Sequence, residues 1–171
     1  MLVNYLAAKI DNMRVSIGGD HADPALKKVL IDHLKNKGLK TINRGTDTTD
    51  SVDYPDFAHA VSVDVEVGEA DWGILICGSA NGVAMTANKH EKIRAGLAWN
   101  ADVARLVKQH NNANVLCIPA RFVSQTEAVD IVNAFMAEEF EGGRHQRRLG
   151  KITCAVIATC FLMAGTAHAQ Q

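Results

Sequence analysis

Apolar and polar positions along the chain switch repeatedly between two periods. From Arg14, "RVSIGGD" is a short β-rich run. In "DPALKKVLIDHLKNKG", Leu26, Val29, Leu30, Ile31 and Leu34 recur at three-to-four spacing, which predicts a helix with one buried face. Asp23 suits its N-cap, Pro24 its first turn and Gly38 its C-terminal cap. "LKTINRG" reads as a second strand, and "TDTTDSVDYPD" as a polar loop. Phe57, Ala58, Val61 and Val65 then fall at helical spacing. "WGILICG" is a continuous apolar run, the kind that lies buried on both faces of a parallel sheet. "NGVAMTANKH" starts a helix, "IRAGLAW" is a strand, and "NADVARLVKQHNN" is a helix capped by Asn100. "NVLCIPA" is a further strand. "SQTEAVDIVNAFMAEEF" opens on a capping box, Ser124 with Glu127 three residues on.

The β-α unit thus recurs about five times. That predicts an α/β fold: a single three-layer, Rossmann-like domain, with an about five-stranded parallel sheet and helices on both faces. The regular pattern runs over 13–153. Residues 1–12 read as an N-terminal extension and 154–171 as an atypical apolar tail. "KITCAVIATCFLMAGTAHAQQ" has the make-up of a secretory signal, but at the wrong end of the chain. Its apolar run is shorter than the roughly 18–20 residues a bilayer span needs. It reads as a helix packed on the domain or on a partner subunit, or as a sticky tail left by a reading-frame accident.

Composition narrows the function classes. The chain of 171 residues is long enough for a real core. With 18 basic and 19 acidic residues, its net charge of −1 gives no overall reason to expect nucleic-acid or membrane binding, so any anion site must be a local cluster. None of the 4 cysteines forms a CxxC pair, and no Cys/His spacing asks for a metal. Two of them, Cys77 and Cys117, lie in apolar strand-like runs, which points to a reducing, cytoplasmic compartment.

In parallel sheets, ligands bind beyond the carboxyl ends of the strands. Applied strand by strand, this rule collects Asp20 and His21, then Arg44 with the Tyr54 loop, then Cys77, Gly78 and Ser79. The fourth strand leads to Asn100, with His110 and Asn111 at the far end of its helix, and the fifth to Arg121. The reading places these groups on one edge. Cys77 alone is either an apolar plug or a reaction centre. The small residues from Gly78 to Gly82 are either turn chemistry or a backbone anion cradle. They match neither a dinucleotide fingerprint nor a P-loop. In "RHQRR", Arg144 and Arg148 stand four apart, so they share a helix face and suit one phosphate. His33, His59 and His90 read as solvated residues.

Several stretches in combination resemble ribose-5-phosphate isomerase B, in the family that also holds the galactose-6-phosphate isomerase subunits. They are "GGDHA", "DYPDFA", "ILICGSANGVAMTANK", "KQHNN" and "EGGRHQRR". The resemblance implies an aldose–ketose isomerase that converts ribose 5-phosphate to ribulose 5-phosphate through an enediolate. It implies Cys77 as general base. Members with a glutamate base carry it further along this loop, where the chain has Asn81, Gly82 and Val83. It further implies Ser79 beside the reacting oxygens, Gly78 to Gly82 as the enediolate cradle, His110 and Asp20 in ring opening, Asn111 beside them, and Tyr54 lining the pocket. His21, Arg121, Arg144 and Arg148 become a phosphate clamp that is partly supplied by a second subunit, hence a homodimer or dimer of dimers. Ala80 stands where a glycine is common. No cofactor or metal is implied. Isomerisation of a six-carbon sugar phosphate, such as allose or galactose 6-phosphate, is the alternative within enzymes. A non-catalytic sugar-phosphate sensor would need only the clamp.

The chemistry suits such residues. Isomerisation needs a base beside a carbon acidified by a carbonyl. A thiol near pKa 8.5 serves only if its thiolate is stabilised, and the expectation is that loop amides and a helix N-terminus do so.

Overall fold

The computed structural model describes residues 13–152. The expected extension at 1–12 and tail at 154–171 lie outside the described residues. Five strands, β1 (Arg14–Gly19), β2 (Lys40–Asn43), β3 (Trp72–Cys77), β4 (Ala95–Leu97) and β5 (Val115–Pro119), form one sheet in the order β2-β1-β3-β5-β4. Every pairing is parallel. The helices between and after them are α1 (Pro24–Asn36), α2 (Tyr54–Glu66), α3 (Asn81–Ala87), α4 (Ala101–Asn111), α5 (Gln125–Ala137) and α6 (Arg144–Leu149).

The helices cover both faces. Leu26, Leu30 and Leu34 of α1, with Ala104 of α4 and Ile131, Val132 and Phe135 of α5, pack on Ile17, Ile74, Ile76, Leu116 and Ile118. Ala58 and Val61 of α2 and Val83 and Ala87 of α3 cover Leu75, Val115 and Cys117 on the other face. Alternate residues of β3 serve opposite layers, so the strand is apolar throughout and not amphipathic. Burying each such Leu or Ile contributes about 2 kcal/mol. The chain steps from β1 outward to β2, then back across β1 to β3. The sheet's topological switch point therefore falls between β1 and β3.

The caps follow local chemistry. Asp23 accepts from the Leu26 amide at 2.9 Å and Asn100 from the Val103 amide at 2.8 Å. Ser124 and Glu127 form the reciprocal capping box. At the end of α1 the cap is Lys37, and Gly38 follows it with φ 87°. Of the three histidines expected to be solvated, His59 is exposed, while His33 and His90 are partly buried, and all three make side-chain bonds. His33 meets Asn133 at 2.8 Å, while His90 bridges His59 and Glu66 at 2.8 Å each. No described helix is long and apolar enough to cross a membrane.

Candidate active site

The carboxyl edge at the switch point is built by close packing. The register pairs Gly19 with Ile76, which sets Asp20 beside Cys77. The Asp20 amide donates to the Ile76 carbonyl at 3.3 Å. One carboxylate oxygen of Asp20 accepts from the Ala22 amide at 2.9 Å, and the other accepts from Sγ of Cys77 at 3.0 Å. Asp20 is buried and Cys77 partly so. Burial, then the hydrogen bond to Asp20 and its negative charge, push the Cys77 thiol up to about 11, against the opposing pull of the Ala80 and Gly78 amides. This corrects the expectation of a stabilised thiolate. The resting group is a thiol, because burial together with the adjacent carboxylate outweighs the two amides. Cys117 is fully buried, and burial pushes its thiol up further, so it remains an apolar filler.

The surrounding loop uses its small residues as the spacing requires. Ala80 caps α3 in the left-handed region at φ 57°, with its methyl buried. It thus takes up a conformation that favours glycine, and the methyl points into the core, away from the edge. A Cβ on Gly78 would lie 3.2–3.3 Å from the Arg121 guanidinium. A Cβ on Gly82 would lie 2.6–2.9 Å from the Tyr54 ring. Arg121 and Tyr54 therefore lie directly over the loop. Ser79 is exposed at its tip. His21 Nδ1 accepts from the Val52 amide at 3.2 Å, so in the neutral ring the proton sits on Nε2, free to donate. Asp20, His21, Tyr54, Cys77, Gly78, Ser79, Gly82 and Arg121 thus form one constellation.

His110, Asn111, Arg144 and Arg148 do not join it within this chain. Helix α4 leaves the carboxyl end of β4 and runs back for 11 residues, about 16 Å. Its last residues lie at the amino edge, where the Asn112 carbonyl accepts from Nε of Arg94, just before β4, at 2.8 Å. Helix α5 makes the same return, and the Glu141 amide donates to the Gln109 carbonyl at 3.0 Å. The two clusters stand a strand length apart, roughly 17–20 Å. The expectation of a single edge is corrected, because a helix antiparallel to its strand carries its C-terminal residues to the opposite edge. A cleft of about 690 Å³ also lies at the amino edge, lined by Asn88, Lys89, His90, Arg94 and Asn111 among others; neither Cys77 nor Asp20 lines it.

At that edge the His110 and His145 rings stack, with centroids 4.1 Å apart and planes 7° apart. Glu141 stands 3.8 Å from His110 and 3.6 Å from His145. Their ligand atoms lie within 4.8 Å of one another, the spacing of a candidate metal site. The arrangement suits proton handling better. Arg144 Nε donates into the His145 Nε2 lone pair at 3.2 Å, and parallel rings do not aim both lone pairs at one point. Sequence spacing does not single out Glu141 and His145, because only the turn through Gly142 and Gly143 brings both against His110.

The comparisons agree with this architecture. A family model described as Ribose/Galactose Isomerase matches residues 15–152. The chain is similar to the ribose-5-phosphate isomerase B of Escherichia coli, with 40% identity over 140 residues, 82% of this chain and 94% of that protein. Among solved structures it is similar to Clostridium thermocellum ribose-5-phosphate isomerase B, with a TM-score of 0.80 and 44% identity over 82% of this chain and 95% of that one. It is likewise similar to the Mycoplasma genitalium enzyme with bound ribulose-5-phosphate, with a TM-score of 0.78 and 44% identity over 82% and 93% of the two chains.

Proposed function

The chain belongs to the ribose/galactose isomerase family, and from that premise we propose that it interconverts ribose 5-phosphate and ribulose 5-phosphate through an enediolate, with Cys77 as the general base. The observation that carries this reading is the 3.0 Å contact between Sγ of Cys77 and the Asp20 carboxylate, at the switch point and against the Gly78–Gly82 loop. The five-carbon substrate is supported by the relative that binds ribulose-5-phosphate.

The thiol reaches its reactive form by passing its proton to Asp20. The thiolate left behind faces the Gly78 and Ala80 amides and takes the proton from C2, which leaves the enediolate; its O1 then takes the proton held on Asp20. The proton on sulfur is then delivered to C1, and the O2 hydroxyl proton returns to Asp20. No atom or charge is left over. The loop amides favour the developing enediolate over the substrate, which lowers the barrier and does not merely tighten binding. Tyr54 walls the pocket, and Ser79 supports the reacting oxygens.

Ring opening needs a proton for the ring oxygen, and we assign that to His110, with Asn111 beside it. Because these residues sit at the opposite edge from Cys77, the working site is formed between two copies of the chain. One copy supplies Cys77, Asp20, His21 and Arg121. The other supplies His110, Asn111, Arg144 and Arg148. The assembly is a homodimer, or a dimer of dimers. His21, Arg121 and the two partner arginines grip the phosphate with charge-assisted bonds. Free Cys77 and Cys117 suit a reducing, cytoplasmic setting and the non-oxidative branch of pentose phosphate metabolism.

The test is direct. Purified full-length protein in EDTA should convert ribose 5-phosphate to ribulose 5-phosphate. Cys77→Ala should lose roughly 10²–10⁴-fold in turnover, the range for general acid–base groups, while Cys117→Ala keeps most of it. Absence of turnover in the wild type, or faster turnover of a six-carbon sugar phosphate, would sink the reading.

A further inference from the structure

Two residues at the amino edge have no part in the scheme above. His145 is 5% exposed, the most enclosed side chain of α6. Its ring lies face to face with that of His110, 4.1 Å away and 7° from parallel. It is held from several sides. Its amide donates to the Gly142 carbonyl at 2.9 Å, and its Nε2 accepts from Arg144 Nε at 3.2 Å. The Glu141 carboxylate stands 3.6 Å from its Nε2 and 3.8 Å from that of His110. The bond from the Glu141 amide to Gln109 ties this segment to the last turn of α4.

We infer that His145 is a positioning residue for His110: its buried ring is the platform that fixes the plane in which the His110 ring presents its proton to the substrate. This rests on the reading of His110 as the ring-opening group. His110 needs such support. Its side chain is 34% exposed at the end of a helix, so one of its faces is open to solvent and the imidazole could turn about its side-chain bonds. The stacked ring closes the other face. Misplacing a proton donor by about 1 Å can cost 10²-fold in rate.

The electrostatics fit a neutral platform. An Nε2 that accepts from Arg144 carries no proton, so the ring is in its neutral Nδ1–H form. Burial, then His110, then Arg144 hold the His145 imidazolium below the usual histidine range. A neutral partner does not repel the proton that His110 must deliver. The placement also joins two tasks. The same short helix carries Arg144 and Arg148, so one rigid element sets both the phosphate grip and the His110 ring.

The experiment compares His145→Ala, which removes the platform, with His145→Phe, which keeps a flat ring. Each is assayed on ribose 5-phosphate and on 4-deoxyribose 5-phosphate, which lacks the hydroxyl that closes the ring. His145→Ala should lose about 10²-fold in kcat on ribose 5-phosphate, with KM little changed, and far less on the deoxy sugar. His145→Phe should keep most of both activities. In NMR spectra, the upfield ring-current shift of the His110 ring protons should vanish in His145→Ala and persist in His145→Phe. Equal losses on both sugars, a rise in KM alone, or a Phe variant as damaged as the Ala variant would overturn the inference. So would His110 proton shifts unchanged in His145→Ala. The parent reading fails separately: if His110→Asn loses equally on both sugars while the ring-current shift behaves as expected, the stack is real but His110 does not open the ring, and the inference falls with that role.

Discussion

Sγ of Cys77 donates to the Asp20 carboxylate across 3.0 Å, although 57 positions separate the two residues in the chain. The contact exists because β1 and β3 are neighbours at the point where the strand order reverses. It joins a weakly acidic thiol to a carboxylate that can accept its proton, the contact on which the proposed role of Cys77 rests.

The dyad predicts how Cys77 meets an alkylating agent. Its thiol is held near 11, so iodoacetamide should modify it slowly at neutral pH and progressively faster as pH approaches that value. Asp20→Asn removes the acceptor and the negative charge that raise the thiol. Its alkylation midpoint should therefore move down, while isomerase activity falls because the acceptor is gone. Mass spectrometry of the Cys77 peptide gives both midpoints. An unchanged midpoint in Asp20→Asn would mean that burial alone sets the thiol.

The proposed split of the site between two copies predicts complementation. Cys77→Ala and His110→Asn should each be nearly inactive on ribose 5-phosphate. When the two are mixed and allowed to exchange subunits, one of the two sites in each mixed dimer regains both wild-type residues. Activity should recover to about a quarter of the wild-type value, the statistical yield for a two-fold dimer. Cys77→Ala with Arg148→Ala should behave in the same way. No recovery, with exchange verified by native mass spectrometry, would return all these residues to one chain.

Gly45→Ala should damage activity as well as stability. An added Cβ would lie 2.6 Å from the Gly19 nitrogen, 2.8 Å from its oxygen and 2.9 Å from Nζ of Lys27. The first two are main-chain atoms one residue before Asp20, and they cannot move without moving Asp20. Lys27 is itself buried and bonded to Asp47 at 2.6 Å and Asn43 at 2.9 Å. Gly82→Ala strikes only the half-exposed Tyr54 ring, so it should fold normally and raise KM. Melting temperatures and steady-state kinetics on both variants separate these outcomes.

Acid should weaken the fold through Asp64. Burial alone would raise its carboxyl, but hydrogen bonds from Arg44, at 2.9 Å twice, and Ser16, at 2.7 Å, hold it below the usual range. Its stabilisation is therefore complete above the unfolded value of about 3.9 and is lost as pH falls through the lower folded value. Asp64→Asn should melt well below the wild type at pH 6, and the gap should narrow towards pH 3. Asp64→Ala should cost roughly 3 kcal/mol. A gap that stays constant over this range would remove Asp64 from the acid response.

Much of this molecule could be read along the chain, because its fold rests on local rules. Alternation of strand and helix periods, together with the Asp23, Asn100 and Ser124 caps, marks each element within about one turn. The candidate residues Asp20, Cys77 and Arg121 are legible as strand ends, since every strand of a parallel sheet points the same way. His110 misled the same rule. It belongs to a helix C-terminus, and counting residues after β4 does not show that the chain has turned back.

The sequence by itself determined an α/β sheet, its buried faces and the residue types gathered at strand ends, because periodicity and capping act over a few neighbouring positions. Only the tertiary structure decided which groups meet. Strand order buried Cys77 beside Asp20 and so made the thiol a weak acid. Helix direction carried His110 to the opposite edge, where it stacks on His145. Those contacts depend on packing between segments far apart in the chain, and no local pattern encodes the distance or the charge that each group meets there.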